Sequence, residues 1–283
     1  MSGTVTVVGD ALLDVTARPA ASIRPGADVP ADVRIGCGGQ GANLAVRLAR
    51  RGIDVELICG LADDRAAALV AEALRAEGVR VNPVRVEATG CVVILLDDAG
   101  ERTMLSQRAP FVAGTRISPA AWTMVSGYCL LEADAGRFAR MLADRAAPLA
   151  VVGCAVAEAA RPAWRAAVAA AVPDLLILNR EEASDLAPVD ELSSGTIVTS
   201  TDVISASVGG QAVRVQVASG PAAIDTTGAG DAFAAALVAG LVRAPWPPSS
   251  ALLESVLIDA AVLAGQVARA RGAQVRVAAE VHR

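Results

Sequence analysis

The sequence predicts an α/β protein: a three-layer α/β/α sandwich with a mostly parallel central sheet and a small β lid. Strand-like and helix-like segments alternate along most of the 283 residues, a rhythm typical of parallel sheets covered on both faces. Apolar residues make up 54% of the chain, enough for one large core. Two hairpin-like stretches, near 11–36 and 90–108, interrupt the alternation. We therefore predict a single domain over 1–283, with the lid built from these two stretches.

In the first part of the chain, a β-branched run at 4–8 predicts a buried strand that ends beside Asp10. Predicted helices and strands then follow in pairs. The strands are at 33–37 and 55–59, and the helices at 42–51 and 64–77, each helix closed by a glycine.

The stretches assigned to the lid contain turn residues between apolar runs. The segment 19–30 is rich in Pro, Gly and Ala and predicts a loop. Strands at 91–96 and 102–106 bracket a turn at 97–100 and predict a hairpin. Arg102 and Arg108 flank the second of these strands, and we interpret both as surface charges.

The second part of the chain continues the alternation. Two long apolar helices at 229–242 and 249–270 end it, separated by a Pro-rich break. The elements before them are strands at 128–131, 149–153, 175–178, 197–200, 204–208 and 212–217, and helices at 135–146, 158–171 and 181–186.

Charge and cysteine content exclude several classes of protein. The net charge is −5, and all 25 basic residues are scattered arginines, so nucleic acid is a poor partner. Five cysteines, at 37, 59, 91, 129 and 154, lie far apart. This spacing argues against a disulfide framework or structural zinc and favours the reducing cytoplasm.

The N-terminal residues show no signal peptide, and no run of 18 uninterrupted apolar residues predicts a membrane span. The only histidine is His282. A Ser-His-Asp triad and a His-ligated catalytic metal are therefore poor hypotheses, and a general base has to be sought among Asp and Glu.

The strongest functional signal is a small-residue turn, 225–231, that runs into an apolar helix. Backbone N–H groups at a helix start bind phosphate oxygens, and Gly228 and Gly230 let the backbone approach a ligand closely. The carboxylate of Asp231 would lie beside that phosphate. An anion cradle with an adjacent base is what phosphoryl transfer to an alcohol requires. The alternative interpretation is simple helix capping.

A second glycine cluster follows a predicted strand and opens a helix. Gly36, Gly38 and Gly41 match G-x-G-x-x-G and Glu56 follows, so an NAD-type Rossmann oxidoreductase is an alternative. That motif should follow the first strand of its unit, and an earlier run is the better first strand. The cluster also fits a backbone edge that meets a polyhydroxylated ligand, with Asn43 offering donors and an acceptor, or a plain turn.

Taken together, these segments resemble the ribokinase-like (PfkB-type) carbohydrate kinase family over nearly the whole chain. The resemblance rests on VVGDALLD at 7–14, GCGGQGANLAVRLARRG at 36–52, LNREEASDL at 178–186 and, more specifically, DTTGAGDAF at 225–233. It implies a ribokinase-like fold and transfer of the γ-phosphate of ATP to a hydroxyl group. The acceptor in the family is usually the hydroxymethyl group of a small-molecule sugar. Mg²⁺ as cofactor and a homodimer joined through the lid are implied as well.

The resemblance also implies roles for single residues. Asp231 is the general base, and the backbone of Gly228, Ala229 and Gly230 forms the anion hole. The substrate contacts are Asp14, Gly38, Gly39, Asn43 and Glu132. The nucleotide contacts are Asn179, Thr199, Thr227, Gly228 and Gly230. Glu182 and Asn179 hold Mg²⁺ through water, and Asp225 supports a monovalent cation such as K⁺.

One segment departs from the family pattern. Relatives usually carry glycines in the loop beside the nucleotide, whereas the segment from Thr199 to Val203 has none and adds the negative charge of Asp202. A ligand-binding pseudokinase is therefore an alternative. A nucleoside kinase of the same family is another, although one Tyr and three Phe leave few platforms for a base.

Overall fold

The computed structural model describes residues 3–97, 102–117, 119–132, 134–143, 145–218, 220–270 and 272–280; most of the turn predicted at 97–100, and His282, lie outside them. The strands are β1 Thr4–Val8, β2 Leu12–Pro19, β3 Ala31–Gly38, β4 Asp54–Leu61, β5 Arg80–Arg85, β6 Cys91–Leu96, β7 Arg102–Gln107, β8 Trp122–Ser126, β9 Leu149–Val152, β10 Leu175–Asn179, β11 Gly195–Thr199, β12 Val203–Val208 and β13 Gln211–Gln216. The α-helices are α1 Gln40–Arg50, α2 Arg65–Ala76, α3 Ala135–Ala143, α4 Arg161–Ala171, α5 Arg180–Asp185, α6 Ala229–Leu241 and α7 Ser250–Ala268.

The main sheet has the strand order β13-β12-β11-β10-β9-β8-β1-β4-β5. All neighbouring strands from β11 to β5 are parallel, whereas β12 and β13 form an antiparallel hairpin at one edge. β1 lies inside the sheet, where Val7 pairs with Leu57 of β4 and Met124 of β8. The mostly parallel sheet predicted from the sequence is confirmed.

Successive residues of β1 pack into two different cores. Val5 and Val7 belong to a core formed with α1, α2, α6 and α7, and Val8 belongs to a second core formed with α3 and α4. All three valines are fully buried. Side chains alternate across a strand, so a strand covered on both faces has to be apolar throughout. The two cores are the two interfaces of a three-layer α/β/α sandwich.

A second sheet, with the order β3-β2-β6-β7, forms from the two stretches assigned to a lid. β2 pairs antiparallel with β3 and parallel with β6, and β7 pairs antiparallel with β6. Apolar side chains on its two edge strands are 55–65% exposed: Val33 and Ile35 on β3, and Met104 and Leu105 on β7. That this sheet closes over a ligand stays a prediction.

Helix α7 is long and apolar enough, by length and composition, to cross a membrane, with a mean hydropathy of 1.6. Core helices pass the same test. Leu253, Leu257 and Leu263 are buried in the core shared with α6. A Cβ on Gly240 of α6 would meet Val256 of α7 at 2.6 Å, so the two helices pack closely. α7 therefore packs one face against α6 in an outer layer of the sandwich, and 33% of its apolar stretch is buried.

The prediction of a strand at 128–131 was wrong. That segment belongs to a 3₁₀ turn, Gly127–Leu131, and the strand is β8, immediately before it. Thr123 and Ser126 of β8 are 1% and 0% exposed, which breaks the expected pattern of apolar burial. The Ser126 hydroxyl is paired inside the fold, because it donates to Gln40 Oε1, and the Thr123 backbone N–H donates to the Pro148 carbonyl.

Candidate active site

The predicted site residues come together at the carboxyl ends of the central parallel strands, where open α/β sheets bind ligands. Asp10 follows β1, Asn179 ends β10 and Thr199 ends β11. The N-termini of two helices meet at the same edge, because Asn43 in the first turn of α1 contacts Asp231 in the first turn of α6.

The start of α1 lies directly on the end of β1. A Cβ on either Gly9 or Gly41 would come within 2.5 Å of the backbone of the other residue. Gly39 is the N-cap of α1 and has a φ of 97°, and a Cβ there would meet the Asp10 carbonyl at 2.5 Å. The glycines permit this close contact. Because the cluster follows β3 of the lid rather than the first strand of a βαβ unit, it does not fit a dinucleotide-binding motif.

Asp14, on β2, lies over the backbone of Gly38, on β3. A Cβ on Gly38 would overlap the Asp14 carboxylate, so only glycine leaves room for it. Burial and the neighbouring Asp10 raise the pKa of Asp14 to about 6, against the opposing effect of Arg108. The carboxylate can accept hydrogen bonds from ligand hydroxyl groups.

Asp231 is half-buried, and its Oδ2 accepts a 2.8 Å hydrogen bond from Nδ2 of Asn43. Burial raises the pKa of Asp231 to about 6, although hydrogen bonds from Asn43 and Gln40 act in the opposite direction. A carboxylate of this pKa is ionised at neutral pH and accepts a proton more readily than an ordinary aspartate. These are the properties of a general base.

The turn before α6 leaves room for an anion beside Asp231. No side chain in the described part of the chain caps α6, and its N-cap, Gly228, has a φ of 74°. A Cβ on Gly228 would meet Ala273 at 2.7 Å, whereas a Cβ on Gly230 would meet no described heavy atom within 4 Å. An uncapped helix start with open space beside it has free backbone N–H groups and room that can accommodate a phosphate group.

Asp225 holds this turn together. Its Oδ1 accepts hydrogen bonds from the N–H, at 2.9 Å, and the hydroxyl of Thr227, and its Oδ2 accepts one from the Gly272 N–H at 2.9 Å. Arg102, at the start of β7, lies 3.3 Å from Oδ1. Burial acts to raise the pKa of Asp225, but these bonds and Arg102 outweigh it, and the pKa is lowered.

Arg108 joins the lid sheet to the end of β1. It forms an ion pair with Asp10, and its Cζ lies 3.6 Å from the centroid of the Tyr128 ring. Arg102 and Arg108 are exposed, as interpreted from the sequence, but each also links the lid to a carboxylate of the main body, which the sequence did not predict. Their partners are 123 and 98 residues away in the sequence, so no local sequence pattern predicts these contacts.

Glu132 anchors the chain where it leaves the lid. Its Oε2 accepts hydrogen bonds from the N–H groups of Phe111 and Val112, at 2.8 and 2.9 Å. Burial raises the pKa of Glu132, and these two bonds partly offset the effect.

Asn179 and Glu182 form a capping box at the start of α5. Asn179 Oδ1 accepts the Glu182 N–H at 2.8 Å, and Glu182 Oε2 accepts the Asn179 N–H at 3.0 Å. Glu182 also lies against Gly153 after β9, where a Cβ would come within 2.5 Å of Oε2. Burial raises the pKa of Glu182. The two residues thus start α5 and place the Glu182 carboxylate at the carboxyl ends of β9 and β10.

The glycine-poor loop after β11 is a tight, hydrogen-bonded turn. Ser200 Oγ donates to Asp202 Oδ1 at 2.6 Å, and Arg180 Nη2 binds the same Oδ1 at 2.8 Å. The serine hydroxyl and then Arg180 lower the pKa of Asp202. The added negative charge is therefore paired with an arginine. Thr199 donates its hydroxyl to the Leu178 carbonyl at 3.3 Å.

Two glutamines complete the site and were not selected from the sequence. Gln40 accepts the Ser126 hydroxyl at 2.7 Å and donates to the Gly153 carbonyl at 2.8 Å, so it ties α1 to the ends of β8 and β9. Gln274 donates to Asn43 Oδ1 at 3.0 Å. Gln40 lies inside a motif and could have been found there, but no sequence signal marks Gln274.

The comparisons with known proteins identify the family of the chain. Residues 2–279 match the family model described as pfkB family carbohydrate kinase. The chain is 30% identical to a fructokinase from Klebsiella pneumoniae over 96% of this chain and 95% of that protein. The chain belongs to the PfkB family of carbohydrate kinases. It is a phosphotransferase whose acceptor is an alcohol (hydroxyl) group of a sugar.

Solved structures show the same fold. A ribokinase from Thermotoga maritima matches with a TM-score of 0.78 and 18% identity, covering 96% of this chain and 94% of that one. A fructokinase with bound ATP from Xylella fastidiosa matches with a TM-score of 0.78 and 20% identity, covering 97% and 94%. The predicted ribokinase-like fold is confirmed.

Proposed function

We propose that the protein is an ATP-dependent sugar kinase that transfers the γ-phosphate to a hydroxymethyl group, with Asp231 as the general base. The observation that carries this proposal is the position of the Asp231 carboxylate beside the uncapped start of α6 and the open space at Gly230. Burial raises the pKa of this carboxylate to about 6, which suits proton abstraction near neutral pH.

The sugar would be held between the lid sheet and the end of β1. Asp14 offers a carboxylate on the lid side, and Gly38 and Gly39 offer backbone that a hydroxyl group can approach. Asn43 retains a second amide hydrogen besides the one that it gives to Asp231. We also assign to Glu132 a substrate contact at the base of the lid, through the carboxylate oxygen that does not bind the Phe111 and Val112 N–H groups.

In the reaction, Asp231 takes the proton of the attacking hydroxyl group. The new O–P bond forms at the γ-phosphorus, the bond to the β-phosphate oxygen breaks, and ADP leaves. The backbone of Gly228, Ala229 and Gly230 stabilises the charge on the transferring group. Closure of the lid would exclude water and prevent hydrolysis of ATP.

We place the nucleotide along the ends of β10 and β11, with Asn179, Thr199 and Thr227 as contacts. Glu182 and Asn179 fit an ion that keeps most of its waters, because Mg²⁺ at phosphate sites needs only one or two protein oxygens. The raised pKa of the half-buried Glu182 indicates a carboxylate that gains from a cation. Bound Mg²⁺ would neutralise charge on the phosphates.

A sugar is favoured over a nucleoside as the acceptor. One Tyr and three Phe supply few stacking platforms, and the ring of Tyr128 is covered by Arg108. The relative from Klebsiella pneumoniae is named fructokinase, which makes fructose the first sugar to test. The pseudokinase alternative rests on the glycine-poor loop, whose extra carboxylate, Asp202, is paired with Arg180.

The test is a coupled ADP-release assay with ATP and Mg²⁺ against a panel of sugars and nucleosides. We expect turnover with one or a few sugars. Turnover with nucleosides alone would replace the sugar by a nucleoside. Calorimetry that detects a sugar ligand without any phosphoryl transfer would favour the pseudokinase.

We also propose a cytoplasmic location and a homodimer joined through the lid. The described cysteines are free thiols, which suits a reducing compartment. The exposed apolar residues on β3 and β7 lie on the edge strands of the lid sheet, and exposed edges favour strand pairing.

A further inference from the structure

The proton affinity of the proposed base depends on the orientation of one amide. Asn43 donates Nδ2 to Asp231 Oδ2 at 2.8 Å. If this amide turned by half a rotation, its carbonyl oxygen would face the carboxylate, and a stabilising donor would become a repulsive acceptor. Whatever fixes the Asn43 amide therefore sets how readily Asp231 binds a proton.

Gln274 holds the other end of this amide, opposite Asp231. Its Nε2 donates to Asn43 Oδ1 at 3.0 Å, so the oxygen of Asn43 is turned away from Asp231. Because Asp231 Oδ2 accepts from Nδ2 and Gln274 Nε2 donates to Oδ1, the Asn43 amide has one favoured orientation.

The segment 272–280, which we call the C-terminal strap, brings Gln274 to this place. Arg47 binds the carbonyls of Ala273 and Val275 at 2.6 and 2.9 Å, and Arg50 binds the carbonyl of Gln274 itself at 2.8 Å. Asn43, Arg47 and Arg50 share one face of α1, because they are spaced by four and three residues. One helix thus carries both the amide and the arginines that position its partner.

A buried ion pair fastens the far end of the strap. Arg47 Nη1 lies 2.7 Å from Glu280 Oε1, and their side chains are 0% and 2% exposed. Breaking such a pair leaves an uncompensated buried charge, so the strap has one preferred position.

We propose that Gln274 is a positioning residue for phosphoryl transfer: it holds Asn43 Oδ1, so that Asn43 Nδ2 faces the carboxylate of Asp231. This inference rests on the proposed function for its catalytic meaning. The hydrogen-bond relay itself can be tested without turnover.

Several other groups influence Asp231 and have to stay constant in the test. Asp10, after β1, raises its pKa, whereas Gln40 and Arg47, on α1, lower it. Tyr128, after β8, interacts with it as well. None of these side chains is altered by a substitution at Gln274. Asp14 also titrates near pH 6, so Asp231 needs a signal of its own.

The experiment compares wild type with Gln274→Met, which keeps the shape and removes the donor, and with Gln274→Glu, which places a carboxylate against Asn43 Oδ1. The Asp231 carboxyl carbon is titrated by NMR in protein labelled with ¹³C-aspartate, and its peak is assigned by its absence in Asp231→Asn. Arg276→Met is the matched control, because Arg276 lies on the same strap, is 68% exposed and contacts Glu77 instead.

We expect Gln274→Met to raise the pKa of Asp231 by about 0.5–1 unit, the equivalent of one hydrogen bond, and Gln274→Glu to raise it further. The acidic limb of kcat/KM should move by the same amount. Activity should fall about 3–10-fold near pH 5 and stay close to wild type above about pH 8, where the base is ionised in every variant. ADP affinity should not change.

An unchanged Asp231 titration in both variants would overturn the inference, and so would an equal loss of activity at every pH. If the Asp231 titration shifts in the Gln274 variants but the wild-type protein phosphorylates no sugar, the hydrogen-bond relay is supported and the proposed function is overturned. An equal shift in Arg276→Met would attribute the effect to the strap as a whole and overturn the role of Gln274.

Discussion

Asp231 combines two opposing demands at the scale of a single residue. As the proposed base it has to be ionised to accept a proton, yet its half-buried position penalises the charge and raises its pKa to about 6. The Asn43 hydrogen bond recovers part of this cost. Residues of this kind are expected at active sites, where function is kept at the expense of stability.

Replacing Asp231 by Asn should therefore abolish most turnover and leave the nucleotide site intact. The amide keeps the size of the side chain but cannot accept the proton, so we expect kcat to fall by about 10²–10⁴-fold. A coupled ADP-release assay measures kcat, and calorimetry with ADP and Mg²⁺ serves as the binding control. Near-normal turnover in Asp231→Asn would remove this residue as the base.

The same variant should be more stable than wild type at alkaline pH. The ordinary pKa of 3.8 applies in the unfolded chain, so between about pH 4 and 6 the folded state holds a proton that the unfolded state releases. Wild-type stability from this group therefore declines as the pH rises through about 6. We expect Asp231→Asn to gain on the order of 2 kcal/mol near pH 8, a few degrees in Tm, and much less near pH 4. Thermal unfolding at both pH values measures the gain, and an equal gain at both would contradict the assignment.

The two glycines of the proposed phosphate cradle, Gly228 and Gly230, should respond differently to substitution by alanine. Gly228 has a φ of 74° and abuts Ala273, so Gly228→Ala should lower the stability by about 1–3 kcal/mol. A Cβ on Gly230 would meet no described atom within 4 Å, so Gly230→Ala should fold normally. Its methyl group would, however, enter the space assigned to the phosphoryl group.

Thermal unfolding and kcat, measured side by side, separate the two effects. Gly230→Ala should keep the Tm of wild type and lose at least about tenfold in kcat, the equivalent of one displaced stabilising contact. Full activity in Gly230→Ala would place the transferring group elsewhere.

At the scale of elements, β7 acts as a bridge between the lid and the body. Arg102, where the strand begins, reaches Asp225, and Arg108, just beyond its end, reaches Asp10. The first partner holds the turn before α6 and the second follows β1. The two ion pairs therefore reach both the proposed phosphate side and the proposed sugar side of the site.

Arg102→Ala should weaken this bridge without unfolding the protein. The pair is partly exposed, with side-chain exposures of 30% and 24%, so it is worth about 0.2–1 kcal/mol, and we expect kcat/KM to fall about 2–5-fold. The loss should shrink in high salt, which screens the wild-type pair. Arg34→Ala is the control, because Arg34 is a lid arginine that pairs within the lid, with Asp32.

K⁺ offers a second measurement on the same variant. The monovalent cation that the family resemblance implies at Asp225 would share that carboxylate with Arg102. Stimulation of the initial rate by K⁺ should thus be stronger in Arg102→Ala than in wild type. Equal K⁺ dependence in the two proteins would contradict a monovalent cation site at Asp225.

The sequence was most informative where a function needs consecutive residues. The turn at 225–231 and the strand–helix alternation could be predicted because their signals lie in consecutive residues. Gln274 and Arg102 were not, because each acts on a residue more than 100 positions away, through contacts that only the fold creates. β8 was misplaced because buried Thr123 and Ser126 break the apolar pattern of a core strand.

At the scale of the whole molecule, the lid sheet leaves apolar side chains without cover. Ile35 and Met104, on opposite edge strands, are 65% and 59% exposed. A second copy that paired through this sheet would bury them and would place the two sites on a common element.

Ile35→Glu should convert the proposed dimer into a monomer, because it places a charge in the expected interface. Val262→Glu is the control, since Val262 is an equally apolar residue, 51% exposed, on α7. Sedimentation or light scattering measures the mass. A wild-type protein that is monomeric at micromolar concentration would contradict the dimer.

The hydrogen bond between Asn43 and Gln274 joins positions that are 231 residues apart. Contacts of such long sequence separation form late, after the neighbouring strands and helices have assembled. A polypeptide clipped before Gln274 would therefore keep its strands and α-helices, and show nearly native circular dichroism, while its activity near pH 5 is reduced. For this kinase, recovery of turnover near pH 5 after refolding is therefore a more stringent test of the complete native structure than recovery of the circular dichroism spectrum.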